Sequence, residues 1–65
     1  MKGNYTVVMA KRKASGNGYD FKHKGYRYMA RAIDFTLEHW NEYDNIYLID
    51  EHDGHRILEK CMVIA

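Results

Sequence analysis

The chain has no proline and a single cysteine, Cys61, and its longest apolar runs are only four to five residues. Without proline, a common stop signal is missing and the ends of helices and strands are weakly marked. One thiol cannot close an internal disulfide, which fits a reducing compartment. Runs that short fall far below the roughly 20 apolar residues that span a bilayer. Met1-Lys2-Gly3-Asn4 leads straight into Tyr5-Thr6-Val7-Val8-Met9-Ala10 with no cleavage-like stretch, so no secretory leader is expected. Together these absences predict a soluble, cytoplasmic protein without a membrane partner.

What is present is compact and aromatic. Sixty-five residues, 46% of them hydrophobic, with six Tyr, two Phe and one Trp, predict one ordered domain over residues 1–65. A chain of this size buries only about 60% of the surface exposed by its unfolded form, so its stability is small.

Charge is sorted along the chain. Residues 1–31 carry eight cations (Lys2, Lys11, Arg12, Lys13, Lys22, Lys24, Arg27, Arg31) against Asp20 alone. Residues 32–65 carry eight acids (Asp34, Glu38, Glu42, Asp44, Asp50, Glu51, Asp53, Glu59) against Arg56 and Lys60. The net charge of +1 therefore conceals a cationic front and an anionic back. Such asymmetry bears on partners rather than on fold.

Tyr5 to about Lys13 reads as a strand, and Ser15-Gly16-Asn17-Gly18 as the clearest turn. Tyr19-Asp20-Phe21-Lys22 alternates as a second strand would, giving a hairpin over 5–22. Tyr26 to about Tyr43 is predicted helical, with Tyr26, Met29, Ala30, Ile33, Leu37 and Trp40 as its apolar face and Gly25 as N-cap. Ile46-Tyr47-Leu48-Ile49 and Arg56-Ile57-Leu58, continuing to Cys61-Met62-Val63-Ile64, flank His52-Asp53-Gly54 as a second hairpin. The order β(β)αββ predicts an α+β two-layer domain: an antiparallel sheet of three to four strands with one helix on one face.

The last two strands are apolar on both faces, and one helix covers only one of them. The excess predicts a homodimer, with Tyr28, Phe35, Tyr47, Ile49 and Val63 as its interface. The competing explanations are termini folded over the far face and a Phe35 tucked beneath a loop of its own chain.

The predicted helix also carries its charges against its dipole. Lys24, Arg27 and Arg31 sit toward the N-terminal end, and Asp34, Glu38 and Glu42 toward the C-terminal end. An unusual stripe of this kind often marks function, although a solvated surface stripe explains it too. The expected partner-binding set is Lys11, Arg12, Lys13, Tyr19, Lys22, Lys24, Arg27 and Arg31, converging into one electropositive patch.

Catalytic chemistry finds little support. Asp50-Glu51-His52-Asp53-Gly54-His55 is rich in potential ligands, yet its spacing matches no zinc or calcium site and a polar turn explains it. Cys61 lies in an apolar run, as an inert buried thiol would. Neither a nucleophile with its base nor a phosphate-binding glycine loop is present, so no enzyme, cofactor or metal is expected. The sequence predicts a small regulator or inhibitor that docks a macromolecule, with protein favoured over nucleic acid. Its size suits an accessory protein of a phage or mobile element. The alternatives are direct nucleic-acid binding, with Tyr19, Phe21, Tyr26 or Tyr28 stacking on bases, and capture of a small anion or nucleotide at the helix N-terminus. The acidic back offers a further possibility, imitation of nucleic-acid charge.

Overall fold

A computed structural model describes residues 4–61, with the side chain of Cys61 excepted. Four strands, β1 (Tyr5–Arg12), β2 (Tyr19–Tyr26), β3 (Asn45–Asp50) and β4 (Arg56–Cys61), form one antiparallel sheet in the order β2-β1-β3-β4. A single helix, α1 (Met29–Glu38), follows β2 and packs over β1, β2 and β3. This is the α+β two-layer domain expected from the sequence. No helix among the described residues is long and apolar enough to cross a membrane.

The first hairpin is longer than its apolar pattern suggests. β2 pairs with β1 from Tyr19 opposite Arg12 to Tyr26 opposite Tyr5, so the ladder continues past Lys22. Pairing with β1 satisfies the backbone of residues 22–26 and delays the start of the helix. Gly25 therefore belongs to the sheet and faces Thr6. The helix starts later, with Tyr28 as an N-cap that makes no side-chain hydrogen bond, and ends at Glu38 rather than near Tyr43. Lys60 holds the segment beyond it: its Nζ donates to Trp40 O at 2.7 Å and to Tyr43 O at 3.0 Å.

The helix also presents a different face from the one its apolar residues predict. Ala32 and Thr36 are its buried positions, while Met29 is 44% and Leu37 57% exposed. Two small side chains let the helix lie close to the bulky floor of Val7, Met9, Ile46 and Leu48. Thr36 tolerates burial because its hydroxyl donates to Ala32 O at 2.8 Å. Ile33, Phe35, Trp40, Tyr43, Tyr5, Tyr26 and Leu58 close the sides of this core. Ile46 and Leu48 are fully buried, each contributing about 1.5–3 kcal/mol.

Turn chemistry at the β3–β4 tip accounts for the polar cluster there. Asp50 Oδ1 accepts from His52 N at 2.9 Å, and Asp53 Oδ1 accepts from His55 N at 3.0 Å. Gly54, at φ +77°, donates its N–H to Asp50 O at 2.8 Å. The expected continuation of the last strand through Met62, Val63 and Ile64 lies outside the described residues.

Candidate functional site

Strand alternation sorts the side chains onto two faces, because residues paired across an antiparallel ladder share a side. Tyr5, Val7, Met9 and Lys11 of β1 lie on the helix side with Asp20, Lys22, Lys24 and Tyr26 of β2 and with Ile46, Leu48 and Asp50 of β3. Thr6, Val8, Ala10 and Arg12 lie on the opposite side, which no helix among the described residues covers. With them are Tyr19, Phe21 and His23 of β2, Asn45, Tyr47 and Ile49 of β3, and Arg56 and Glu59 of β4.

This open face has an apolar centre and charged flanks. Val8 is 6% exposed and Ala10 1%, although no helix among the described residues lies over them. In the sheet His23 and Tyr47 flank Val8, and Phe21 and Asn45 flank Ala10. Phe21 is 61% exposed and lies 6.4 Å from the Tyr19 ring. A depression of about 200 Å³ opens above Ala10, bounded by Phe21, Asn45, Tyr47, Arg56, Glu59 and Lys60. Arg56 stands over the Tyr47 ring, with Cζ 4.6 Å from its centroid, and donates to Glu59 Oε1 at 2.6 Å. A bulge tilts this corner, since Ile49 pairs with Arg56 while Leu48 pairs with Leu58.

The eight residues expected to form one basic patch are divided instead. Lys11 and Arg12 are adjacent on a strand, so they leave opposite faces. Lys11 and Lys22 share a hollow on the helix side with Asp20, Glu42 and Tyr43, which interleaves the two signs of charge. Lys24 Nζ lies 4.7 Å from the Phe35 ring centroid and 5.4 Å from that of Tyr26, lying against the aromatic edge of the core. Arg27 is in the loop before the helix, stacked near Tyr28 at 5.9 Å, and Arg31 is in the first helical turn. Arg12 and Tyr19 are the two members of the set on the open face, with Lys13 just beyond it.

The expected dimer residues are likewise split. Tyr47 and Ile49 are on the open face, whereas Tyr28 and Phe35 belong to the helix side. Phe35 packs in its own chain, 5.7 Å from the Tyr26 ring and 4.3 Å from that of His39. Val63 lies outside the described residues.

At the hairpin tip Asp53 and His55 shift each other's protonation. Asp53 is held below the usual carboxylate range, first by the His55 backbone N–H and then by its ring. His55 is raised above its ordinary value by the hydrogen bond its ring shares with Asp53, with Nδ1 2.9 Å from Oδ2. Among the described residues no three His, Cys, Asp or Glu side chains gather as a metal-holding group.

Sequence reasoning missed the contributions of Val8, Ala10, Asn45, Arg56 and Glu59 to this surface. The signal was the two-residue alternation of β1 and β3, which becomes legible once the register is known. Comparison with known protein families, curated proteins and solved structures returns no match for this chain.

Proposed function

We infer that this chain is a small non-catalytic binding protein of the regulator or inhibitor type, which docks a macromolecular partner through the open face of its sheet. The observation that carries this reading is the exposed Phe21 ring beside Tyr19 and Tyr47 over a floor of Val8 and Ala10. A large exposed aromatic ring on a sheet face rimmed by charge is a feature of interaction surfaces. Aromatic anchors surrounded by polar groups also supply most of the energy in many interfaces. A homodimer through Tyr47 and Ile49 is one form this docking can take.

A photoreactive phenylalanine analogue tests the reading. Introduced at position 21 in the native host, it is expected to form a discrete adduct that the same group at position 37 does not. Equal labelling from both positions, or none from either, contradicts it.

A further inference from the structure

We propose that the outer edge of β2 pairs with the same edge of a second copy, antiparallel and with Phe21 opposite Phe21, joining two four-stranded sheets into one. A strand edge, not a sheet face, carries this inference, so it can fail without the docking reading and the reverse.

The two edges of the sheet are built differently. β4 is short and its ladder is broken by a bulge, both of which blunt an edge against pairing. β2 keeps an unbroken register from Tyr19 to Tyr26, and Asp20 to Gly25 are all exposed. Its backbone phase is fixed by the bond from Lys13 N–H to Gly18 O at 3.1 Å. Bonded pairs alternate along an antiparallel ladder, so Asp20, Lys22 and Lys24 turn their backbone groups to β1. Tyr19, Phe21, His23 and Gly25 turn theirs outward. The other side of β1 agrees: Asn4 O accepts from Glu51 N at 3.0 Å and Arg12 N donates to Asp44 Oδ2 at 2.7 Å. No described residue pairs with the outward row. Residues 62–65 continue from β4, about 19 Å from this edge, and four extended residues span at most about 14 Å. Residues 1–3 join at the Tyr26 end, about 16 Å along the strand from Phe21, against a reach of about 11 Å.

Charge selects the register. A two-fold axis normal to the sheet sets helix-side residues against helix-side residues, so only alternate registers are allowed. Centring the pair on Phe21 places Asp20 against the partner's Lys22 twice, at non-bonded positions where side chains come closest. Tyr19 then lies opposite the partner's His23. Centring on Lys22 opposes two Lys22 side chains, centring on His23 opposes Lys22 to Lys24 twice, and centring on Lys24 opposes two Lys24 side chains. The lysines thus disfavour every long pairing except the one through Phe21. Within its own chain Asp20 faces Lys11 and Lys22 faces Met9, and neither Asp20 nor Lys22 has an ion pair among the described residues. Glu42, in the same hollow as Lys22, is held by His39.

The test is sedimentation velocity of the full chain up to about 1 mM, since so small an interface belongs to the weak end of specific pairs. A monomer–dimer equilibrium is expected. Asp20→Lys or Lys22→Asp sets like charges face to face twice and is expected to weaken it about tenfold. The double variant Asp20→Lys/Lys22→Asp exchanges the two charges and is expected to restore it. Oxidation of single-cysteine chains, with Cys61→Ser, reads the register separately. Phe21→Cys puts paired Cα atoms about 5.5 Å apart and is expected to give a covalent dimer. His23→Cys puts them about 13 Å apart and is expected to give none. A chain that stays monomeric, a double variant no better than the single ones, or crosslinking at position 23 in preference to 21 overturns the proposal. A monomeric chain that still crosslinks a different macromolecule from position 21 rejects the edge pairing and leaves the docking face standing.

Discussion

Lys60 Nζ lies 2.7 Å from the carbonyl oxygen of Trp40, so a side chain of the last strand closes the turn that follows the helix. A second bond, to Tyr43 O at 3.0 Å, makes this ammonium the common partner of two loop carbonyls. Lys60→Met keeps the aliphatic stem and removes both bonds. A loss of about 1–2 kcal/mol is expected, read as a lower urea midpoint with an unchanged slope.

Ile46 and Leu48 are completely buried beneath the helix. Ile46→Ala is expected to cost about 2–5 kcal/mol, a large share of the roughly 3–10 kcal/mol that holds a domain of this length together. Leu37→Ala, at a position 57% exposed, is expected to change stability by less than about 0.5 kcal/mol. Thermal unfolding followed by circular dichroism separates the two. Similar losses from both would mean that the helix packs by its Met29–Leu37 side after all.

How far the sequence reveals the fold depends on which interaction dominates locally. The hairpins are legible because Gly16, Gly18 and Gly54 adopt positive φ at the turns that their neighbours mark. The helix ends are less legible: pairing with β1 carries β2 on to Tyr26, and the helix stops at Glu38 although spaced apolar residues continue to Trp40. The buried helix face is also hidden: a search for large apolar residues selects Met29 and Leu37, whereas close approach to a bulky sheet requires Ala32 and Thr36. The two-sided apolar character of β3 corresponds to Ile46 and Leu48 facing the helix while Tyr47 and Ile49 face away from it. The basic patch does not form as expected, because adjacent strand positions such as Lys11 and Arg12 diverge.

Gly54 offers a test of backbone conformation separate from packing. Its φ is +77°, and a Cβ there meets no atom within 4 Å. L-alanine at this position is expected to destabilise the fold by about 1–2 kcal/mol through left-handed strain alone. D-alanine, introduced by chemical synthesis, is expected to stabilise it by about 0.4–1 kcal/mol by restricting the unfolded chain. Destabilisation by both residues would show that the turn depends on something other than this dihedral angle.

The Asp53–His55 pair predicts a defined pH dependence. His55 is raised above its ordinary value of 6.5, so the folded state holds its proton more tightly than the unfolded state. Its contribution is complete below pH 6.5 and disappears as pH rises through the raised folded value. Asp53 is lowered from 3.8, so its contribution is complete above that pH and disappears as pH falls through the lowered folded value. Between these limits both are present. His55→Gln is therefore expected to be less stable than the parent near pH 5 and to approach it above pH 8, in paired urea titrations. An offset that is the same at both pH values would contradict this coupling.

The central claim, that the sheet face carrying Phe21 is the docking surface, is tested most directly by photocrosslinking in the native host. A photoreactive phenylalanine analogue at position 21 is predicted to give a discrete macromolecular adduct, and the same group at position 37, on the helix side, to give none. Equal adducts from both positions, or none from either, would contradict it.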